Sequence, residues 1–145
     1  QMGAAGCQIG TRFVCATESI AHGKFKKAFI HAKARDAQLS IQLDPEFPVI
    51  PVRALANKAT GQFFDAQRDV IARYRAGELD QKEAQLVIEH FWAGSLRRAV
   101  IEGDVEHGSL MAGQSVGMVT CEQPVGEIVQ ELMDQAATAL GRRGG

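Results

Sequence analysis

The spacing of apolar and polar residues along the chain predicts several amphipathic helices. Apolar residues recur three or four positions apart over five segments, residues 18–34, 60–77, 81–91, 95–101 and 125–140. Residues suited to helix ends flank these segments: Thr17, Thr60, Gly77, Asp80, Pro124 and Gly141. Glu83 follows Asp80 at the spacing of a capping box. The pattern therefore predicts a mainly helical chain.

Two further segments depart from the helical pattern. Residues 6–16 are a strand candidate with Ile9, Phe13 and Val14 as their larger apolar side chains. Residues 40–55 carry prolines at positions 45, 48 and 51, a density that excludes a central strand or a long helix and predicts an extended excursion over the surface. Because a lone strand leaves both of its edges unpaired, the partners of residues 6–16 are expected outside this sequence. We therefore expect that Gln1 is not a natural start.

The composition of the chain excludes several classes of protein. The chain has 145 residues, 46% hydrophobic and 23% charged, with a formal charge of -1. These values exclude disorder by composition, favour about one domain, and give no overall attraction to nucleic acid. No apolar run approaches the ~18 residues of a membrane span, and no signal peptide is visible. The three cysteines are widely spaced, which argues against a disulfide framework or a zinc site and predicts a cytoplasmic location.

Three weaker patterns have simpler interpretations. The G-x-S-x-G spacing at residues 113–117 is typical of serine hydrolases, but no histidine follows Ser115. The four histidines lack metal-ligand spacing, although His107 lies between an acidic loop and a segment of small residues. Five basic residues on the first helix face could bind phosphate, but a solvated face is favoured: Lys24, Lys26, Lys27, Lys33 and Arg35.

The sequence Q-I-G-T at residues 8–11 is the strongest candidate for binding chemistry. A strand that ends in Gly10 and Thr11 before a helix offers backbone N–H groups and a hydroxyl to an anion. Gly10 permits close approach of a ligand because it has no side chain. The pattern is compatible with phosphate binding and also with an ordinary strand-to-helix turn.

Several sequence blocks resemble one enzyme family. Residues 6–13, GCQIGTRF, resemble the last barrel strand of the nitronate monooxygenases, formerly called 2-nitropropane dioxygenases, a family that includes flavin-dependent enoyl-acyl carrier protein reductases. The resemblance continues through ESIAH (18–22), KKA (26–28) and VRAL (52–55). It is sharpest over AVIEGDV (99–105) and GSLMAGQ (108–114). The blocks stand in family order and extend over almost the whole chain.

The resemblance implies an α/β fold, the C-terminal part of an FMN-binding (β/α)8 barrel with a mainly helical substrate-covering region. A complete barrel takes about 250 residues, so the chain would supply only part of one. Residues 1–40 would be the last strand and its helix, and residues 41–108 the proline-rich crossing and the covering region. Residues 109–145 would be a flavin-facing turn and the closing helix.

The resemblance also implies an FMN site, and no metal. Seven residues are expected to bind the cofactor: Gln8, Ile9, Gly10, Thr11, Met111, Gly113 and Gln114. The loops after strands seven and eight of such barrels hold phosphate, so the first four residues would form half of that site. The family's catalytic histidine precedes this segment and none of the four histidines matches its motif, so no catalytic residue is assigned.

The activity implied is FMN-dependent oxidation of an alkyl nitronate by O₂ to a carbonyl compound and nitrite. An alternative within the family is reduction of an enoyl thioester with NAD(P)H as co-substrate. A second alternative is a non-catalytic truncated fragment. The expected partner is a small-molecule substrate, with a homodimer conceivable and no nucleic acid or membrane.

Overall fold

A computed structural model describes residues 5–44 and 51–142 of the protein. Its helices and strands follow in the order α1 Thr11–Val14, α2 Gly23–His31, β1 Ala37–Leu39, β2 Arg53–Leu55, α3 Lys58–Arg75, α4 Gln81–Val100 and α5 Val125–Gly141. Two 3₁₀ helices, Ala34–Asp36 and Gln114–Met118, lie between them. Within the described ranges, no helix combines the length and apolar character needed to cross a membrane.

Two of the predicted helix ends are confirmed, the end of α3 at Gly77 and the start of α4 at Asp80. The Asp80 carboxylate accepts a hydrogen bond from the N–H of Glu83 and the Glu83 carboxylate accepts one from the N–H of Asp80, both at 2.8 Å. Gly77 follows α3 with a φ of 74°, a conformation that glycine adopts without strain. The prediction that Thr60 caps α3 is wrong, because the helix begins at Lys58 and Asn57 is its cap. Thr60 lies in the first turn, and its hydroxyl accepts a hydrogen bond from the N–H of Asn57.

Helix α4 is longer than the sequence predicted. The pattern indicated separate segments around Trp92 and Gly94, whereas residues 81–100 form one helix. A Cβ at Gly94 would meet nothing within 4 Å. No close packing therefore requires a glycine at this position, and the helix continues through it. The cost of a glycine inside a helix is only about 1 kcal/mol. The buried Ile88, Ser95 and Ala99 continue one face of α4 past this position.

The strand prediction for residues 6–16 is wrong for the described structure. Residues 5–10 are exposed and irregular, and residues 11–14 form the short helix α1. Its first carbonyl, that of Gly10, accepts hydrogen bonds from the N–H groups of Phe13 and Val14. No described strand lies beside residues 5–10 to provide a ladder, so the backbone bonds locally instead. Only Ala16 forms a bridge, a parallel one with Gln123.

The first long helix is also shorter than predicted. It begins at Gly23, and the cap is His22 rather than Thr17, since the His22 Nδ1 accepts a hydrogen bond from the N–H of Lys24. The basic face is not wholly solvated. Lys26 is buried, and its Nζ donates to the carbonyl of Ala16 at 2.7 Å and to the Glu122 carboxylate at 2.6 Å.

The described sheet consists of β1 and β2 in antiparallel register, with Gln38 opposite Ala54. These strands flank the proline-rich segment, of which Pro45 and Pro48 lie outside the described residues. The described part of the chain thus contains no set of parallel barrel strands. The prediction was of one part of a barrel with a mainly helical region, and a mainly helical arrangement with little sheet is consistent with such a fragment.

Buried apolar side chains form two clusters. The distributed cluster draws on segments from end to end of the chain: Cys15, Ala21, Phe25, Phe29, Ala37, Leu55, Ala99, Leu110, Ala112, Val116 and Val119. The hairpin cluster lies between α3 and α4: Phe63, Val70, Ile71, Ala84 and Ile88, with Leu79, Phe91 and Trp92 packed against it.

Candidate functional site

The structure brings together two of the segments that the sequence singled out. The N–H of Gly113 donates a hydrogen bond of 3.0 Å to the hydroxyl oxygen of Thr11, although the two residues are 102 positions apart. A Cβ at Gly113 would lie 3.5 Å from that same oxygen, an ordinary contact distance. Residues 8–11 and the turn at residues 111–114 are therefore one local region.

The backbone of residues 8–12 carries donors that are free within the described structure. None of the hydrogen bonds between described residues uses the N–H groups of these five residues. Gln8, Ile9 and Gly10 are exposed, and a Cβ at Gly10 would meet nothing within 4 Å. Neither residues 8–12 nor residues 111–114 include a carboxylate. Such a set of donors suits an anion.

The turn at residues 111–114 is held by β2. The carbonyl of Leu110 accepts a 2.9 Å hydrogen bond from the N–H of Leu55, and the N–H of Ala112 donates at 3.0 Å to the carbonyl of Arg53. Between them Met111 forms an antiparallel bridge with Ala54. Met111 and Gly113 are half-buried and Gln114 is exposed.

Close packing explains the small residues around this turn. A Cβ at Gly117 would lie 2.7 Å from the backbone nitrogen of Ala34, and one at Gly108 would lie 2.5 Å from that of Ala99. Small residues at these positions therefore permit the backbones to approach closely. The turn is consequently fixed against α4 and the 3₁₀ helix Ala34–Asp36.

Two charged residues that the sequence analysis overlooked connect the N-terminal segment to α5. Arg12 donates hydrogen bonds to the side-chain oxygen of Gln123 and, at 3.2 Å, to the carbonyl of Cys121. The Glu18 carboxylate accepts hydrogen bonds from the N–H of Val125 at 3.0 and 3.1 Å. Donation by the N–H groups of Glu18 and Val125 lowers the pKa of the Glu18 carboxyl. Because the partners lie over 100 residues away, no local pattern could reveal these contacts.

The histidines take local structural roles where their contacts are defined. His22 caps α2, and the His31 ring lies 2.7 Å from the carbonyl of Lys27. His107 Nδ1 lies 3.3 Å from the Asp104 carboxylate, whose pKa is lowered chiefly by the N–H of His107. No group of three potential metal ligands occurs among residues 5–44 and 51–142. Ser115 of the hydrolase-like spacing is exposed.

The three cysteines are unpaired. Cys15 is buried in the distributed cluster, and burial raises the pKa of its thiol. Cys7 and Cys121 are exposed. The buried Cys15 therefore lacks the lowered pKa that marks a reactive thiolate.

Comparison with known proteins decides the family. A family model described as nitronate monooxygenase matches residues 1–135. This chain belongs to the nitronate monooxygenase family. No curated protein matches it. The resemblance inferred from the sequence blocks is thereby confirmed, and it supports a flavin-dependent oxidoreductase at the level of the family.

Two solved structures are similar to the chain. FabK from Thermotoga maritima is 30% identical with a TM-score of 0.69, and the match covers 99% of this chain and 40% of that one. A point mutant of the same FabK is 29% identical with a TM-score of 0.68, covering 99% of this chain and 38% of that one. The chain thus spans about two fifths of the length of these structures.

Proposed function

We propose that this chain contributes part of the FMN site of a flavin-dependent nitronate monooxygenase. The observation that carries the proposal is the hydrogen bond between Gly113 and Thr11, which joins the two segments expected to contact the cofactor. The family match supports the flavin. The division of the chain into residues 1–40, 41–108 and 109–145 remains a prediction.

The residues present fit half of a phosphate site. The exposed Gln8, Ile9 and Gly10 offer backbone N–H groups, and Thr11 adds an oxygen already oriented by Gly113. Since no carboxylate lies in this run, a bound phosphate would meet no like charge from it. Met111, Gly113 and Gln114 would lie at the edge of the cofactor, positioned by the bonds of their turn to β2.

When bound, FMN supplies the redox chemistry by which O₂ converts an alkyl nitronate into a carbonyl compound and nitrite. The contribution of this chain is to hold and orient the cofactor. The Thr11 hydroxyl fixes the turn at residues 111–114 against residues 8–11. Helices α3 and α4 would cover the substrate.

The test compares Thr11→Val with Thr120→Val, a matched change at an exposed threonine outside the region. Thr11→Val removes the acceptor of the Gly113 N–H, so we expect about tenfold weaker FMN binding, the loss of a single hydrogen bond. Thr120→Val should bind FMN as the unaltered protein does. Flavin fluorescence titration measures both. Equal affinity in all three proteins would contradict the proposed site.

Enoyl-thioester reduction is the second candidate. Four basic residues on or next to α2 remain exposed and could receive an acidic carrier protein: Lys24, Lys27, Lys33 and Arg35. Oxygen consumption with propyl nitronate is expected for the monooxygenase. NAD(P)H oxidation dependent on a crotonyl thioester, without nitronate turnover, would favour the reductase. FMN binding without either activity would favour a non-catalytic role.

A further inference from the structure

A cavity of about 130 Å³ lies between the β1–β2 sheet and helices α3 and α4. Apolar side chains form most of its wall: Leu39, Ile41, Val52, Phe63, Phe64 and Trp92. Leu39 and Ile41 are exposed, so the cavity opens to solvent beside β1. Residues 8–11 and 111–114 do not line it.

Two polar atoms on this wall have no partner within the described structure. The indole Nε1 of Trp92 and the hydroxyl of Ser109 are both buried without a hydrogen bond, and Ser109 is 2% exposed. Native proteins pair nearly all such atoms, because an unpaired buried polar group is costly. We therefore expect the hydrogen-bond acceptor of a ligand to lie next to these two atoms.

Two further polar side chains on the wall already form hydrogen bonds. The Asn57 amide nitrogen donates to the carbonyls of Val105 and Gly108, both at 2.8 Å. The hydroxyl of Ser40 accepts from the N–H of Val52 at 2.9 Å. Trp92 Nε1 can only donate, and a serine hydroxyl can donate as well. Trp92 Nε1 and the Ser109 hydroxyl can therefore both donate to a ligand that carries a hydrogen-bond acceptor.

The wall also restricts the charge and size of a ligand. Among the described residues that line it, none is a lysine, arginine, aspartate or glutamate. A buried ion without a countercharge is strongly disfavoured, which excludes a carboxylate or ammonium group. An apolar cavity of about 150 Å³ holds benzene. A neutral molecule of about that size fits.

From these observations we propose that the cavity binds a small, neutral, mainly apolar carbonyl compound, with its oxygen accepting hydrogen bonds from Trp92 and Ser109. This site is separate from the proposed FMN region and does not depend on it. Loss of FMN binding would leave the cavity unchanged.

Trp92 is the only tryptophan of the chain, so its indole N–H gives a single resonance for direct observation. Cyclohexanone and methylenecyclohexane have the same shape, and only the ketone carries an acceptor. In a ¹⁵N-labelled titration of the whole chain, we expect cyclohexanone to shift the indole proton saturably and to bind about tenfold tighter than the hydrocarbon. Equal affinity for the two compounds, or no saturable shift with the ketone, would overturn the proposal.

Two serine variants provide the matched control. Ser109→Ala should weaken ketone binding about threefold to tenfold and leave hydrocarbon binding unchanged. Its melting temperature should stay the same or rise, because the hydroxyl lost was unpaired. Ser115→Ala, at an exposed serine outside the cavity, should leave both affinities unchanged. Unaltered ketone affinity in a folded Ser109→Ala protein would overturn the proposed contact.

Discussion

The two apolar clusters differ in how far apart along the chain their residues lie. The hairpin cluster uses residues 63–92, from two consecutive helices joined by a short turn. The distributed cluster joins residues 15–119, including α2, β2, the end of α4 and the turn around Leu110. Local helical periodicity therefore predicts the first cluster, whereas the second exists only when distant segments meet.

The candidate FMN region lies with the distributed cluster, and the proposed cavity lies beside the hairpin cluster. Strand β2 is common to both regions. Its Leu55 belongs to the distributed cluster, and both Ala54 and Leu55 line the cavity. We therefore expect that a substitution in either cluster lowers the free energy of unfolding. The two clusters should differ in whether the substitution also changes the tryptophan emission.

The largest effects are expected from the central phenylalanines. Phe63→Ala and Phe29→Ala should each lower the free energy of unfolding by about 3–5 kcal/mol, because both side chains are almost fully buried. The ring of Trp92 lies 4.3 Å from that of Phe63, so only Phe63→Ala should change the native tryptophan emission. Denaturant titration followed by fluorescence measures both quantities. The same emission change in both variants would show that the clusters are not distinct.

A pair of glycine variants gives the next largest effect. A Cβ at Gly108 would lie 2.5 Å from the backbone nitrogen of Ala99 and 2.6 Å from the Asp104 carbonyl. Backbone atoms cannot easily move aside for the added methyl group. Gly108→Ala should therefore lower the free energy of unfolding by an amount at the upper end of ~1–3 kcal/mol. Gly94→Ala, in open space on α4, should instead stabilise by about 1 kcal/mol. Thermal unfolding would contradict this account if both changes had the same sign.

A smaller effect is expected at Lys26, the buried lysine of α2. Lys26→Met keeps an unbranched chain but removes the Nζ that donates to the carbonyl of Ala16 and to the Glu122 carboxylate. Of the described residues, only Ser19 then still donates its N–H to that carbonyl. The free energy of unfolding should fall by about 1–2 kcal/mol. Lys27→Met, at the exposed neighbouring position, is the control and should change it by less than about 0.5 kcal/mol. Equal stability of the two variants in urea would refute the structural role of Lys26.

The smallest effect concerns the loop of residues 102–108, which follows α4 and accepts hydrogen bonds from Asn57 and Ala59 at the start of α3. Its Asp104 has a pKa below the ordinary 3.8, since the N–H of His107 donates to the carboxylate. A carboxyl with a lowered folded pKa stabilises above its unfolded pKa and loses that contribution as the pH falls through the folded value. The stability difference between the protein and Asp104→Asn should therefore be full at pH 6 and shrink below 3.8.

Asp65→Asn on the exposed side of α3 serves as the control for this pH series. It should change stability less than Asp104→Asn does at pH 6. A difference for Asp104→Asn that stays constant from pH 6 to pH 3 would contradict a role for the ionised carboxylate. Melting temperatures across that range provide the measurement.

Sequence reasoning succeeded where the relevant physics is local. The capping box at Asp80 and Glu83 is confirmed, as is the turn at Gly77, because both depend on bonds within a few residues. The strand at residues 6–16 was wrong, since a strand depends on a neighbour rather than on its own pattern. The burial of Lys26 was missed for the same reason, as Glu122 lies 96 residues away.

The sequence by itself determined the family of this protein and most of its helix positions. Tertiary structure alone decided that Thr11 meets Gly113, and that Trp92 and Ser109 line one cavity. It also decided that Arg12 binds the segment just before α5 and that Glu18 binds the first residue of α5. Periodicity and capping act over three or four residues and are written in the sequence. Contacts between segments a hundred residues apart depend on how the whole chain packs, which no local pattern encodes.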